Sequence, residues 1–140
     1  MRTISRVKLA TETLGCDSYT VANVFATPVR DTVQLARIGS TADGWIKARG
    51  YLEACVNQPE ITDALLAFGV VPPTGSARLH FNNQADWLQE KLLTRGIRTW
   101  MVGGRPAHPS RWQRETHRIM PGVDFRIALA HLLTESSTIE

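Results

Sequence analysis

Residues 77–102 read ARLHFNNQADWLQEKLLTRGIRTWMV and contain the clearest supersecondary pattern of the chain. The segments 77–81 and 97–102 have compositions that suit strands. Between them, apolar side chains recur at helical spacing, and Asn82 or Asn83 can serve as the N-terminal cap. Because a helix that joins two strands allows them to pair in parallel, this segment predicts a β-α-β unit.

The first third of the chain predicts further strands. Three apolar residues near the N-terminus mark a short strand of imperfect alternation: Ile4, Val7 and Leu9. Residues 19–27 (YTVANVFAT) and 32–38 (TVQLARI) are two more strand-like segments. A proline-containing break at residues 28–31 separates them, which predicts an N-terminal hairpin.

Helical patterns account for most of the remaining chain. Apolar spacing and capping residues predict helices over about residues 40–56, 59–68, 83–95, 110–120 and 123–133. We therefore expect a single α+β domain over residues 1–140. Its mixed sheet of about five strands, from the N-terminal hairpin and the β-α-β unit, packs against four or five helices. Residues 134–140 are expected to fray.

The composition indicates a folded protein rather than a disordered or membrane-spanning one. Hydrophobic residues make up 43% of the chain, which is too many for a disordered segment. No run approaches the roughly 18–20 apolar residues that a transmembrane helix needs. The start of the sequence, MRTISRVKLATE, lacks the apolar block of a secretory signal, and Cys16 and Cys55 fit reduced thiols. We therefore expect a cytoplasmic protein of bacterial type.

The sequence contains no local motif for metal, cofactor or covalent chemistry. None of the four histidines has another histidine or a cysteine at the spacing of a zinc ligand pair. Residues 39–44 (GSTADG) lack the complete glycine fingerprint of a nucleotide-binding loop. No serine lies in a Gly-x-Ser-x-Gly elbow. We therefore predict no cofactor, no metal ion and no catalytic residues.

The most uneven feature of the chain is a basic window over residues 95–118. The net charge of the whole chain is only +3, yet the window contains a single acid, Glu115, among six arginines. Arginine presents a planar fork that suits phosphate and stacks on aromatic faces. Trp100 and Trp112 lie in the same window. The arginines of the window are Arg95, Arg98, Arg105, Arg111, Arg114 and Arg118.

Helical spacing suggests how these arginines are presented. Arg111, Arg114 and Arg118 stand at i, i+3 and i+7, which places them on one face of the predicted helix. Such a row can bind phosphates, and an exposed tryptophan can stack on a base. We therefore predict a non-catalytic protein that binds DNA or RNA, or an accessory protein, through a basic surface. The candidate binding residues are Arg98, Trp100, Arg105, Arg111, Arg114 and Arg118.

Other interpretations use the same residues. In one, the arginines only solvate an exposed helix and pair with acids such as Glu115, Asp86 or Asp124. In another, the surface belongs to an interaction module for an acidic protein partner. Since arginine and tryptophan are also enriched in protein interfaces, a homodimer contact is a further alternative.

Two enzymatic alternatives also remain open. Arg111 with His117, and Arg126 with His131, have a spacing that resembles the Arg-x(4–6)-His signature of the HEPN ribonucleases. In that family the pair lines an RNA-cleaving cleft, so the resemblance implies a small ribonuclease that uses Arg111, His117 and their neighbours. The β content predicted here departs from that all-helical family. The second alternative is an enzyme with an apolar small-molecule pocket lined by Trp45, Trp87 and Trp100.

Overall fold

The computed structural model describes residues 2–27, 29 and 31–135. Within those residues, six α-helices and three strands are present. In chain order they are α1 (Arg2–Thr13), α2 (Thr32–Ile38), α3 (Asp43–Val56), β1 (Asp63–Leu65), α4 (Ser76–Thr94), β2 (Arg98–Val102), α5 (Trp112–Ile119), α6 (Phe125–Leu132) and β3 (Leu133–Glu135). A single 3-10 turn, Pro109–Arg111, precedes α5.

The chain divides into two compact units, which we name by their content. The sheet unit comprises residues 1–20, 63–70 and 98–140, and the helical unit comprises residues 21–62 and 71–97. The expectation of a single domain over residues 1–140 stays a prediction.

The sheet unit contains a three-stranded mixed sheet in the order β1-β2-β3. β1 pairs with β2 in parallel, with Asp63 opposite Arg98, and β2 pairs with β3 in an antiparallel arrangement, with Trp100 opposite Glu135. Buried apolar side chains from α1, β2, α6, β3 and the segment around α5 form its core. They are Ala10, Val102, Ala107, Trp112, Leu129 and Leu133.

The helical unit is organised around Trp45, whose side chain is buried. Its ring contacts Phe25 and Phe81 edge to face, with centroids 4.8 Å and 6.1 Å away. The indole N–H donates to the carbonyl of Gly39 over 2.9 Å, so the polar edge of the ring is satisfied inside the core. Gly44 is required beside this cluster, because a Cβ there would lie 2.5 Å from the Phe25 ring.

Gln84 is the centre of a hydrogen-bond network in the helical unit, and its side chain is completely buried. Its amide nitrogen donates to the carbonyls of Val24 and Trp45 over 2.9 Å and 2.8 Å. Its amide oxygen accepts from Nε of Arg49 over 2.8 Å. One polar side chain of α4 therefore satisfies the backbone of an irregular segment and of α3.

The predicted sheet of about five strands is wrong, because only three strands form in the part of the chain that the structure describes. The segment that contains Ile4, Val7 and Leu9 belongs to α1, where Arg6 and Ala10 are buried one helical turn apart. The short alternating pattern suits both a strand and one face of a helix, and burial at i and i+4 selects the helix.

The predicted N-terminal hairpin is also wrong. Residues 32–38 form α2, since the side chain of Asp31 accepts a hydrogen bond from the backbone N–H of Gln34 over 2.9 Å and caps the helix. Residues 19–27 have an irregular backbone. The break expected between them includes Pro28 and Arg30, which lie outside the described residues.

The β-α-β prediction places its first strand incorrectly. Residues 77–81 are the first turns of α4, because the buried side chains of that helix continue at helical spacing through them: Ala77, Phe81, Gln84, Leu88 and Leu92. The strand that pairs in parallel with β2 is instead β1, within the predicted helix 59–68. Pairing of residues 63–65 with β2 therefore outweighs the helix that Pro59 and Gly69 predict as caps.

Other predicted elements are confirmed, with shifts of a few residues at their ends. The helices predicted over 40–56, 110–120 and 123–133 correspond to α3, α5 and α6, and the strand predicted over 97–102 corresponds to β2. The mixed α+β class is therefore correct. Residues 134 and 135 belong to β3 rather than to a frayed end, and residues 136–140 lie outside the described chain. None of the described helices is both long and apolar enough to cross a bilayer.

The Gln84 network predicts a large effect on the stability of the helical unit. We expect Gln84→Leu to lower the free energy of unfolding by about 2–4 kcal/mol, because two buried carbonyls and one arginine lose their partner. Gln89→Leu, at an exposed position of the same helix, is the control and should change stability by less than about 0.5 kcal/mol. Urea unfolding followed by circular dichroism measures both, and equal losses would contradict this assignment.

Candidate functional site

The six predicted binding residues all belong to the sheet unit, but to two different groups. Arg98 and Trp100 lie on β2. The other four lie after β2 and on the turn and helix that follow: Arg105, Arg111, Arg114 and Arg118. We call this second group the arginine face.

The two residues on β2 share one carboxylate. Asp63 on β1 stands opposite Arg98, and its Oδ2 lies 3.2 Å from Nε of Arg98. The indole N–H of Trp100 donates to the same oxygen over 2.8 Å. The charge of Arg98 is therefore balanced by a neighbour, and Trp100 is half-buried with its indole nitrogen occupied.

The burial of Trp112 orients the arginine face. The Trp112 side chain is 0% exposed, and its indole N–H donates to the carbonyl of Ala107 over 2.8 Å. Glu115 and Thr116, on the same side of α5, are buried with it. Consequently Arg114 and Arg118, on the opposite side of the helix, face the solvent. Trp112, one of the two tryptophans of the basic window, is therefore a core residue.

Glu115 joins two of the arginines. Nη2 of Arg105 donates to Oε1 and Oε2 of Glu115 over 2.8 Å and 2.6 Å. Nη2 of Arg118, one turn along α5, donates to the same Oε1 over 2.7 Å. Two guanidinium groups therefore converge on one oxygen, and we call these three residues the Glu115 clamp.

Two consecutive glycines bring Arg105 into the clamp. Gly103 and Gly104 both have positive φ angles, +68° and +77°, which side-chain-bearing residues rarely adopt. A Cβ on Gly103 would also lie 3.0 Å from Cδ1 of Ile119 and 3.6 Å from Oε1 of Glu115. The absence of a side chain at Gly103 thus allows the turn after β2 to approach α5.

The three side chains of the clamp differ in exposure: the carboxylate is buried, and the two guanidinium groups reach the solvent. The Glu115 side chain is 9% exposed, whereas those of Arg105 and Arg118 are 45% and 57% exposed. Hydrogen bonds from Arg105 and then Arg118 lower the pKa of Glu115 below its ordinary value, outweighing the effect of burial. The same contact with Glu115 raises the pKa of Arg105, so each of these two groups favours the charged form of the other.

Arg111 and Arg114 differ from the clamp arginines because no carboxylate of the described chain forms an ion pair with them. Both side chains are exposed, at the end of the 3-10 turn and in the first turn of α5. Arg114 and Arg118 are exposed on α5 itself, whereas Arg111 lies in the 3-10 turn that precedes it, so the predicted row of three arginines on one helix face stays a prediction.

His108 begins the 3-10 turn beside Arg111. Its Nδ1 accepts a hydrogen bond from the backbone N–H of Ser110 over 3.1 Å, which leaves Nε2 as the protonated nitrogen of the neutral ring. Partial desolvation and then the charge of Arg111 lower the pKa of His108. His108 is therefore neutral near pH 7 and contributes a ring N–H donor rather than a positive charge.

The tryptophans of the proposed apolar pocket have other partners. Trp45 fills the core of the helical unit. Trp87 lies under two cations, with the guanidinium carbon of Arg49 4.8 Å and Nζ of Lys91 5.8 Å from its ring centroid. The structure instead shows an open cleft of about 320 Å³ in the sheet unit, which the sequence did not indicate. It is lined by Lys8, Thr11, Glu12, Cys16, Asp17, Ser18 and Tyr19.

The described histidine, cysteine and acidic side chains provide neither a metal-binding group nor an activated thiol. Among the residues that the structure describes, no three side chains of histidine, cysteine, aspartate or glutamate are grouped as metal ligands. Cys16 and Cys55 are free thiols. Burial, followed by the charge of Asp63, raises the pKa of Cys16, which disfavours the nucleophilic thiolate.

Comparison with known proteins gave no match, whether with protein-family models, with curated protein sequences or with solved structures.

The role of Glu115 is the part of this site that sequence reasoning missed. The pattern indicated Glu115 as one acid that could neutralise an exposed helix. Its pairing with Arg118 is readable from the i, i+3 spacing. Its pairing with Arg105 depends on the turn at Gly103 and Gly104, and two adjacent glycines before an arginine are the only local signal for it.

The clamp predicts a pH-dependent contribution to stability. Because the pKa of Glu115 is lowered in the folded protein, its contribution is fully present above the ordinary value of 4.5. It is lost as the pH falls through the lowered pKa. We expect Glu115→Gln to lower the free energy of unfolding by about 1–2 kcal/mol near neutral pH, since exposed arginines reduce the gain.

Urea unfolding at several pH values measures this contribution. The difference between the original protein and Glu115→Gln should shrink as the pH falls from about 6 to about 3. Glu12→Gln, at an exposed position of α1, is the control and should leave stability near neutral pH almost unchanged. A difference for Glu115→Gln that is constant over this pH range would contradict the clamp.

Proposed function

We propose that the protein binds nucleic acid without catalysing a reaction, and that the arginine face contacts the phosphate backbone. The observation that carries the proposal is the exposure of Arg111 and Arg114, without a carboxylate partner in the described chain, beside the half-exposed arginines of the Glu115 clamp. Arg105 and Arg118 thus contact one carboxylate, and Arg111 and Arg114 are exposed on the same turn and helix.

Phosphate recognition suits this surface better than base recognition. Guanidinium groups bind phosphate oxygens through paired N–H donors, and each contacted phosphate releases condensed counterions. The fully buried Trp112 offers no stacking surface, and the indole nitrogen of Trp100 is bonded to Asp63. We therefore assign binding mainly to Arg105, Arg111, Arg114 and Arg118, while the participation of Arg98 and Trp100 stays a prediction.

A cytoplasmic location belongs with this proposal, because nucleic acid is accessible there. The alternative of an acidic protein partner would use the same arginines and is an outcome of the test below. A homodimer through this face would bring like charges together, which opposes it unless an anion lies between the copies.

The proposal predicts a specific salt dependence. We expect Arg111→Ala/Arg114→Ala to weaken binding to a duplex DNA of about 20 base pairs and to lower the slope of log K against log salt by about 0.9 for each lost phosphate contact. Fluorescence anisotropy of labelled duplex over a range of salt concentrations measures both quantities.

A matched control separates local contact from net charge. Arg37→Ala/Arg126→Ala removes the same charge from exposed positions on α2 and α6, and should leave the slope nearly unchanged. Equal effects of the two double variants would contradict an interface at the arginine face. If the duplex does not bind but polyglutamate binds and depends on Arg111 and Arg114, the partner is an acidic protein.

A further inference from the structure

We propose that Arg105 and Arg118 form a two-armed site for one internal phosphodiester, and that Glu115 is the residue that positions both arms. This inference rests on the proposed function and names the chemical group that the clamp receives. It assigns different roles to the arginines: Arg105 and Arg118 hold one phosphate by geometry, whereas Arg111 and Arg114 attract neighbouring phosphates by charge.

The two arms are close enough to share a ligand. Nη2 of Arg105 and Nη2 of Arg118 both donate to Oε1 of Glu115, over 2.8 Å and 2.7 Å. The two nitrogens are therefore no further apart than two hydrogen-bond lengths. Two nitrogens within that distance can both reach the oxygens of one phosphate, because each hydrogen bond itself spans roughly 2.8 Å.

The arms also keep donors for a ligand. Each guanidinium has five N–H donors, and the bonds to Glu115 use Nη2 of each arginine. Nε and Nη1 of Arg105 and Arg118 make no hydrogen bond to any residue of the described chain. Because both side chains are about half exposed, these donors are accessible from solvent.

Because Glu115 is buried, its carboxylate orients the two arginines from below and does not face an incoming phosphate. Its carboxylate lies beneath the arginines, against the Gly103 turn, while the arginines extend into solvent. A flexible arginine loses rotamer freedom when it binds a ligand, and Glu115 has already imposed that loss during folding. The clamp is therefore preorganised for binding.

We assign the clamp to an internal phosphodiester rather than to a chain end. Two guanidinium groups and one carboxylate leave a net charge of +1, so the clamp attracts phosphate, and a duplex presents internal phosphodiesters along its whole length. A terminal phosphate, with close to two negative charges at neutral pH, occurs only at the ends. We therefore expect duplexes with 5′-phosphate and 5′-hydroxyl ends to bind equally well, whereas a strong preference for the phosphorylated end would overturn this assignment.

Lysine substitutions separate geometry from charge. Arg105→Lys/Arg118→Lys keeps every charge but removes the planar forks, and we expect about a tenfold loss of duplex affinity. Arg37→Lys/Arg126→Lys makes the same charge-conserving change at exposed positions outside the arginine face, and should lose less than about twofold. Equal affinities of the two double variants would overturn the two-armed site.

Glu115→Gln gives opposite results for the two possible roles of Glu115. If Glu115 only neutralised the surface, removing its negative charge would strengthen binding. If Glu115 positions the arms, Glu115→Gln should bind the duplex about three- to tenfold more weakly. Adding Arg105→Lys/Arg118→Lys to Glu115→Gln should then reduce the affinity less than the same two substitutions do in the unaltered protein. Binding is measured at a temperature where circular dichroism shows the variant to be folded, and tighter binding overturns the inference.

The proposed function and this inference fail in different ways. If the unaltered protein does not bind duplex DNA or RNA at low salt, the proposed function fails and the inference fails with it. If it binds, and Arg111→Ala/Arg114→Ala weakens binding while the clamp variants have no effect, the function stands and the inference fails.

Discussion

The buried indole of Trp112 determines how α5 is oriented in the sheet unit. Its hydrogen bond to the carbonyl of Ala107 fixes the rotation of the helix about its axis, since any other rotation would expose the ring and leave its N–H without that partner. With this rotation, Glu115 points inwards and the residues on the opposite side point to solvent. One aromatic side chain thus determines that α5 presents Arg114 and Arg118 outwards.

Placing Glu115 on the inner side of α5 requires compensation, because a buried carboxylate without partners is strongly destabilising. Arg118 supplies one partner from the same helix, and Arg105 supplies a second from the turn after β2. The structure therefore explains why the Gly103 turn approaches the helix so closely. Because Arg105 and Arg118 both bond to the buried Glu115, their exposed guanidinium groups lie close together. The contacts that stabilise the fold thus also form the surface that we propose binds phosphate.

The sequence predicted those elements whose determinants are local. β2, α5 and α6 follow from short-range periodicity, and the outward positions of Arg114 and Arg118 follow from helical spacing within α5. The errors occur where two local patterns compete. Residues 32–38 alternate like a strand, but the cap from Asp31 makes them a helix. β1 depends on pairing with a strand distant in sequence, and the contact between Arg105 and Glu115 depends on a turn with two left-handed glycines, so neither is visible in a short window.

We propose that the arginine face is the surface that contacts nucleic acid. An NMR titration with duplex DNA that follows backbone amides and arginine Nε–Hε signals together tests this proposal. We expect the largest shifts at residues 105–119, including the Nε–Hε signals of Arg105, Arg111, Arg114 and Arg118. Shifts confined to α2, α3 and α4, with residues 105–119 unperturbed, would contradict it.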